Sequence, residues 1–288
     1  MLTALLVIGG DRALGAGVEH AVSRSQLRFS RLYSGRIKPD VLVLGNSRAV
    51  NSIYAPTLSK QLDMTVDSVA YNGVTVDVAR ALALDALDHG ALPKWALVEA
   101  TTVQGDGAVL NELRLFRRRS PRLEALLEEQ YPTTAWQSKV SWLFATNTEM
   151  TLRAAYYARQ SDLGWVNRYT ISPELLTSTA SMEPVDFEIS TEKNRELRAL
   201  VDELEARGIR TCVIIGPYLP SYLDHVSNFS EWKTSLQEAL GQRHAVVDYS
   251  RLLSDSRYFA DRVHSNVNGA EHVGEKLARD MKSGRCYR

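Results

Sequence analysis

Residues 41–50, Val-Leu-Val-Leu-Gly-Asn-Ser-Arg-Ala-Val, form an aliphatic run that stops at Gly45 and presents Asn46, Ser47 and Arg48. An uninterrupted apolar run predicts a strand covered on both faces, as in parallel sheets. In such sheets ligands bind outside the carboxyl ends of the strands. Ser47 therefore stands at the functional edge: a nucleophile if a histidine reaches it, a cap of the following helix if none does.

Outward from this stretch, strands and helices alternate. Pro56 opens a short helix through Leu58 and Leu62, since proline suits a first helical turn. Residues 65–71 predict a second strand that runs into Asn72-Gly73, where glycine lets the backbone approach a substrate. Residues 76–89 carry helical spacing at Val78, Leu82 and Leu87, and 94–99 read as a third strand. Further on, 194–207 predict an amphipathic helix with Leu197, Leu200, Val201 and Leu204 on one side, closed by Gly208. A fourth strand at 211–216 empties into Pro217-Tyr218-Leu219-Pro220-Ser221-Tyr222, and a helix around 232–240 and a strand at 245–249 follow. This alternation predicts an α/β fold, a three-layer flavodoxin-like parallel sheet of about five strands.

Near the far end, 258–269 read Tyr-Phe-Ala-Asp-Arg-Val-His-Ser-Asn-Val-Asn-Gly, just before an amphipathic segment at 270–281. One turn can hold both Asp261 and His264, the carboxylate fixing the imidazole tautomer and the imidazole free to take a serine proton. The plainer reading is a surface pair flanking a helix start.

Gly45-Asn46-Ser47 after a first strand, Asn72-Gly73 after a second, and Asp261-x-x-His264 before the C-terminal helix together resemble the SGNH (GDSL-like) hydrolase family. The resemblance covers roughly 38–110 and 195–282. It implies Ser47 as nucleophile, Asp261 and His264 as its triad partners, and the backbone N–H groups of Ser47 and Gly73 in an oxyanion hole. Two departures stand out: Asn46 replaces the aspartate of many members, and the third strand ends in Val-Glu-Ala-Thr-Thr-Val (98–103), without the family's asparagine. Thr101, Thr102 or Asn72 is expected to supply the missing donor, unless nothing does. Within the family the chain is most similar to bacterial membrane-anchored or periplasmic proteins linked to O-acylation of exported polysaccharides. That implies a serine esterase or O-acyltransferase acting on acyl, chiefly acetyl, esters of a carbohydrate. A non-catalytic assembly or glycan-binding protein on the same scaffold is the alternative.

Other features narrow the function classes. With 34 basic and 34 acidic residues in a chain of 288, net charge gives no argument for nucleic acid. Cys212, in a predicted strand and read as core, and Cys286 offer neither a disulfide framework nor metal-ligand spacing. No His-x-x-x-His, glycine-rich phosphate loop or dinucleotide fingerprint occurs, so neither a catalytic metal nor a cofactor is expected. Arg48, beside Ser47, is a candidate to hold an anionic acceptor or a surface carboxylate. Tyr218 and Tyr222 either line an acyl or sugar pocket or belong to a rigid turn set by two prolines.

Residues 1–37 read as an N-terminal lead-in to a domain spanning 38–288. The lead-in starts with about eight apolar residues before Asp11, against the roughly twenty a membrane span requires. The resemblance implies that it begins inside a truncated membrane anchor and faces outward, at the membrane or in the periplasm; a soluble, cytoplasmic start is the alternative. Residues 103–190 interrupt the alternation and predict a helical insertion. Its arginine run, 115–122, reads as a solvated helix end or a lipid headgroup contact. Its aromatics Trp136, Trp142, Tyr156, Tyr157, Trp165 and Tyr169 read as a local core or a sugar-stacking surface.

Overall fold

Five segments become strands: β1 (Val41–Leu44), β2 (Val66–Ser68), β3 (Trp95–Glu99), β4 (Arg210–Ile215) and β5 (Val246–Asp248). They form one parallel sheet in the order β2-β1-β3-β4-β5. The computed structural model describes residues 2–286 except 106, 243 and 245, so Ala245, at the start of the predicted fifth strand, lies outside the described residues. Burial on both sides explains the run of Val, Leu and Ile. Val41, Val43, Leu97, Cys212 and Ile214 pack with Leu58, Val273, Leu277 and Met281 from the helices Ala55–Leu62 and Val267–Lys282. The alternate residues Leu42, Leu44, Ala96, Val98, Val213 and Ile215 are equally buried, and the helix Thr191–Ala206 packs on β4 with Leu197, Leu200, Val201 and Leu204 inward. Two helical layers thus sandwich a flavodoxin-like sheet.

The chain divides into two compact units, one of Met1–Ile37, Ala81–Ala91 and Gly107–Asp162, the other of Lys38–Arg80, Leu92–Asp106 and Leu163–Arg288. The sheet belongs to the second. The predicted insertion is therefore divided: 107–162 group with the N-terminal segment, whereas 163–190 belong with the sheet, where Ile171 joins the core and its N–H bonds the Phe259 carbonyl at 2.8 Å.

Cys212 and Cys286 correct the sequence reading. They are joined as a disulfide, with Cα atoms 5.0 Å apart across a separation of 74 residues. Spacing could not reveal this, because the pairing depends on the last helix lying over the face of β4 that carries Cys212.

The helical unit is built differently. Residues Leu2–Ser23 form one helix of 22 residues. Asp11 on this helix accepts hydrogen bonds from Ser141 Oγ (2.6 Å), Trp142 N (2.9 Å) and Leu143 N (3.2 Å), capping the helix Trp142–Thr146. Among the described residues no helix is long and apolar enough to cross a membrane. The arginine run is solvated only in part: Arg118 and Arg119 are exposed, whereas Arg117 is buried and donates to Glu124 and the Ser138 carbonyl, and Arg114, just before the run, is buried and donates to the carbonyls of Phe144 and Asn147. Trp142 is stacked by Arg12 and Arg118, while Trp136 and Tyr156 are exposed, so the aromatics do not form a single local core.

Candidate active site

The site lies at the carboxyl ends of the strands and starts from a backbone requirement. Gly45 has φ +146°, and a Cβ there would stand 2.6 Å from Ala49 Cβ and 2.9 Å from Glu99 Cβ. Only glycine lets β1 turn this sharply into a helix. That helix, Ser47–Ser52, is capped by Asn46, whose Oδ1 accepts from Arg48 N at 2.9 Å. Ser47 is its first residue, half-buried, with its backbone N–H among those that have no carbonyl partner within a helix.

The loop before the last helix delivers the other two groups. It is pinched by the Phe259–Ser265 bridge and by the Ala260 N–H donating to the His264 carbonyl at 2.9 Å. Asn266 caps the helix Val267–Lys282 beyond it through the Gly269 N–H. In the loop, Asp261 Oδ1 accepts from the backbone N–H of Val263 (2.8 Å) and of His264 (2.9 Å). Its Oδ2 lies 2.8 Å from His264 Nδ1, and His264 Nε2 lies 2.7 Å from Ser47 Oγ. Ser47, His264 and Asp261 thus form one hydrogen-bonded row. Burial raises the Asp261 carboxyl, but the His264 hydrogen bond and charge and the two backbone donors outweigh it, leaving the group below the usual aspartate range.

Gly73 sits in the turn Tyr71-Asn72-Gly73-Val74 at φ +74°, closed by the Val74 N–H on the Tyr71 carbonyl at 3.2 Å. Tyr71 N–H in turn bonds the Gly45 carbonyl at 3.1 Å, so this turn runs beside the one that carries Ser47. Asn72 is exposed.

The two threonines correct an expectation. Thr101 is buried and gives its hydroxyl hydrogen to Glu99 Oε2, while Thr102 gives its own to the Glu99 carbonyl at 3.1 Å. With both hydrogens committed inward, neither hydroxyl is placed to donate to an oxyanion. Asn46 also gains a reason: its Nδ2 donates to Thr101 Oγ1 at 3.2 Å, a bond aspartate could not make, and an aspartate here would set a second carboxylate beside Glu99.

Arg48 and Tyr218 are likewise not surface-binding groups. Arg48 is buried, with Nε 3.4 Å from Glu99 Oε1, one terminal nitrogen 2.5 Å from the Val263 carbonyl and the other 2.6 Å from the Gly216 carbonyl. Its guanidinium carbon sits 3.5 Å over the Tyr218 ring. Tyr218 is itself buried, its hydroxyl pKa pushed upward chiefly by burial, and it stacks on Tyr222, which is only partly buried. Sequence reading missed the centre of this cluster, Glu99, which also accepts from the N–H groups of Thr101 (2.8 Å) and Gly216 (3.1 Å). The signal was present: a lone acid ending the apolar strand Trp-Ala-Leu-Val-Glu requires a buried partner. Among the described residues no group of three or more His, Cys, Asp and Glu is placed to hold a metal ion.

No protein-family model matches the chain, and no curated protein matches it. Among solved structures it is similar to a protein from Desulfitobacterium hafniense DCB-2 ascribed to the lipolytic G-D-S-L family, at 12% identity, over 83% of this chain and 97% of that one, with a TM-score of 0.41.

Proposed function

We propose that this chain is a serine-dependent ester hydrolase or O-acyltransferase acting on acyl esters, with acetylated carbohydrate as its substrate class. The observation that carries the reading is the row Ser47–His264–Asp261, linked at 2.7 and 2.8 Å, with a partly buried serine at one end and a backbone-anchored carboxylate at the other. In the mechanism, His264 Nε2 takes the Ser47 proton as Oγ attacks the ester carbonyl, while Asp261 holds the ring and stabilises the imidazolium. The oxyanion rests on the backbone N–H groups of Ser47 and Gly73, with the Asn72 amide as third donor. His264 returns the proton to the leaving alcohol, and water or a sugar hydroxyl then attacks the acyl-enzyme with His264 again as base.

With Arg48 and Tyr218 buried, Tyr222 is the remaining candidate of the three for the pocket wall. We place the protein outside the cytoplasm, on the membrane or in the periplasm, a reading supported by the Cys212–Cys286 disulfide, since such bonds persist in oxidising compartments.

A fluorophosphonate probe tests the central claim. Labelling should be stoichiometric, map to Ser47 and disappear in Ser47→Ala and His264→Ala. A folded protein that does not label, and turns over no acyl ester, is instead a glycan-binding or assembly module. Adding an oligosaccharide acceptor to an acetyl-ester assay then separates transfer from hydrolysis.

A further inference from the structure

The base is carried by a loop, and loops do not hold side chains to a few tenths of an ångström unless something fixes their peptide planes. The Val263–His264 peptide is fixed at both of its polar ends. Its N–H, on His264, donates to Asp261 Oδ1 at 2.9 Å, and its carbonyl, on Val263, accepts from Arg48 at 2.5 Å. With both ends bonded, the unit cannot rotate about its Cα–Cα axis, and the direction in which the imidazole leaves the backbone is set.

Arg48 can do this because it is itself immobilised. Its second terminal nitrogen is on the Gly216 carbonyl after β4, its Nε faces Glu99 at the end of β3, and Tyr218 supports its flat face at 3.5 Å. Glu99 is fully buried and is anchored through the N–H groups of Thr101 and Gly216 and the Thr101 hydroxyl. Arg48 is also the residue after Ser47. A single side chain therefore ties the neighbour of the nucleophile to the neighbour of the base, closing a ring through the 2.7 Å contact between Ser47 and His264.

We infer that Arg48, held by Glu99, is the positioning residue that sets His264 against Ser47. This rests on the hydrolase or transferase reading above, and it adds to that reading a buried ion pair which touches no reacting atom. The planar fork is essential, because two carbonyls and a carboxylate must be met from one rigid group; an ammonium has neither that geometry nor the flat face.

The test compares Arg48→Lys and Glu99→Gln with the unaltered protein in acetyl-ester turnover, fluorophosphonate labelling rate and crystal structure. Arg48→Lys should lower kcat about 100-fold, the scale of a 1 Å misplacement, with KM within about twofold. The labelling rate should fall in parallel. Glu99→Gln keeps the shape and removes the counter-charge, and should lower kcat about tenfold. Guanidinium ion added to Arg48→Ala should restore part of the lost kcat, which repair of general packing would not do. A folded Arg48→Lys with kcat within about threefold of the unaltered protein overturns the inference. If the Arg48 variants do not fold, Glu99→Gln decides, and an unchanged kcat there overturns it as well. The crystal structure separates the two claims. A His264 ring displaced from residue 47 in Arg48→Lys, in a protein that never labels, keeps the positioning role and removes the chemistry. An unmoved ring removes the positioning role even in an active enzyme.

Discussion

Arg48 in the sheet unit and Arg28 in the helical unit are both almost fully buried, and both spend their donors on one carboxylate and on backbone carbonyls. Arg28 Nε lies 2.7 Å from Asp162 Oδ2, its backbone N–H reaches the same oxygen at 3.2 Å, and a terminal nitrogen meets the Asp162 carbonyl at 3.1 Å. The difference is what stands next to each. Arg48 follows Ser47 and bonds the Val263–His264 peptide, the proposed nucleophile and base, whereas Arg28 joins the start of the helix Arg28–Tyr33 to a loop. The same guanidinium chemistry thus serves the proposed site in one unit and pure architecture in the other. Burial of a charge identifies a point of high structural cost, and only the neighbouring groups say whether it bears on chemistry.

Four measurements would break or sharpen this contrast. The largest effect belongs to Ser47→Ala, which should reduce ester turnover by about 10⁴-fold or more while shifting the urea unfolding free energy by less than about 0.5 kcal/mol; substantial residual turnover would mean the chemistry lies elsewhere. Arg28→Met should do the reverse. It leaves the buried Asp162 carboxylate with only the residue-28 N–H and Arg31, 3.9 Å away, so chemical denaturation should show a loss of about 3 kcal/mol, the low end for a broken buried pair, with kcat of the surviving folded fraction unchanged.

Reduction of Cys212–Cys286 comes next. It releases a constraint on the sheet unit and should cost about 2–4 kcal/mol, read as a shift in unfolding midpoint with and without reductant. A Cys286→Ser variant should reproduce the shift and be insensitive to reductant.

Smallest is Asp11→Asn in the helical unit, where the Ser141 hydrogen bond, ahead of an opposing effect of burial and the Trp142 and Leu143 N–H groups, holds the carboxyl below its usual range. A carboxyl depressed in the folded state contributes stability above its unfolded pKa of about 3.9 and loses it as pH falls through the folded value. The difference between the unaltered protein and Asp11→Asn should be in the capping range, about 0.5–2 kcal/mol at neutral pH, and should close below about pH 4. A difference that does not shrink as the pH is lowered below about 4 would assign Asp11 another role.

How far the sequence carried differs between the same two regions. In the sheet unit, Val41–Leu44 and the Cys212–Ile215 part of the fourth strand were legible because a doubly covered strand is apolar where both faces are buried. Gly45 and Gly73 marked their turns because the backbone there has positive φ. The approach of Asp261 and His264 was legible because three residues of loop limit where both side chains can go. Thr101 and Thr102 misled because a hydroxyl's donor capacity is visible in sequence while its actual acceptor, here Glu99, is a matter of packing. The helical unit resisted for a related reason. Asp162 lies 134 residues from Arg28, and Ser138, whose carbonyl satisfies Arg117, is 21 away. Partners so distant leave no local pattern, so buried arginines looked like solvent-facing ones.

The 217 residues that separate Ser47 from His264 also have a consequence in time. A ribosome adding roughly 5–20 residues per second would expose the serine for about 10–40 s before its base exists. Throughout that interval Ser47 is an ordinary alcohol, unreactive toward esters it meets. On the proposed reading, the order of synthesis alone keeps the serine silent until its partner has been made. If the proposed triad operates, its completion coincides with the docking of the last helix on the finished sheet.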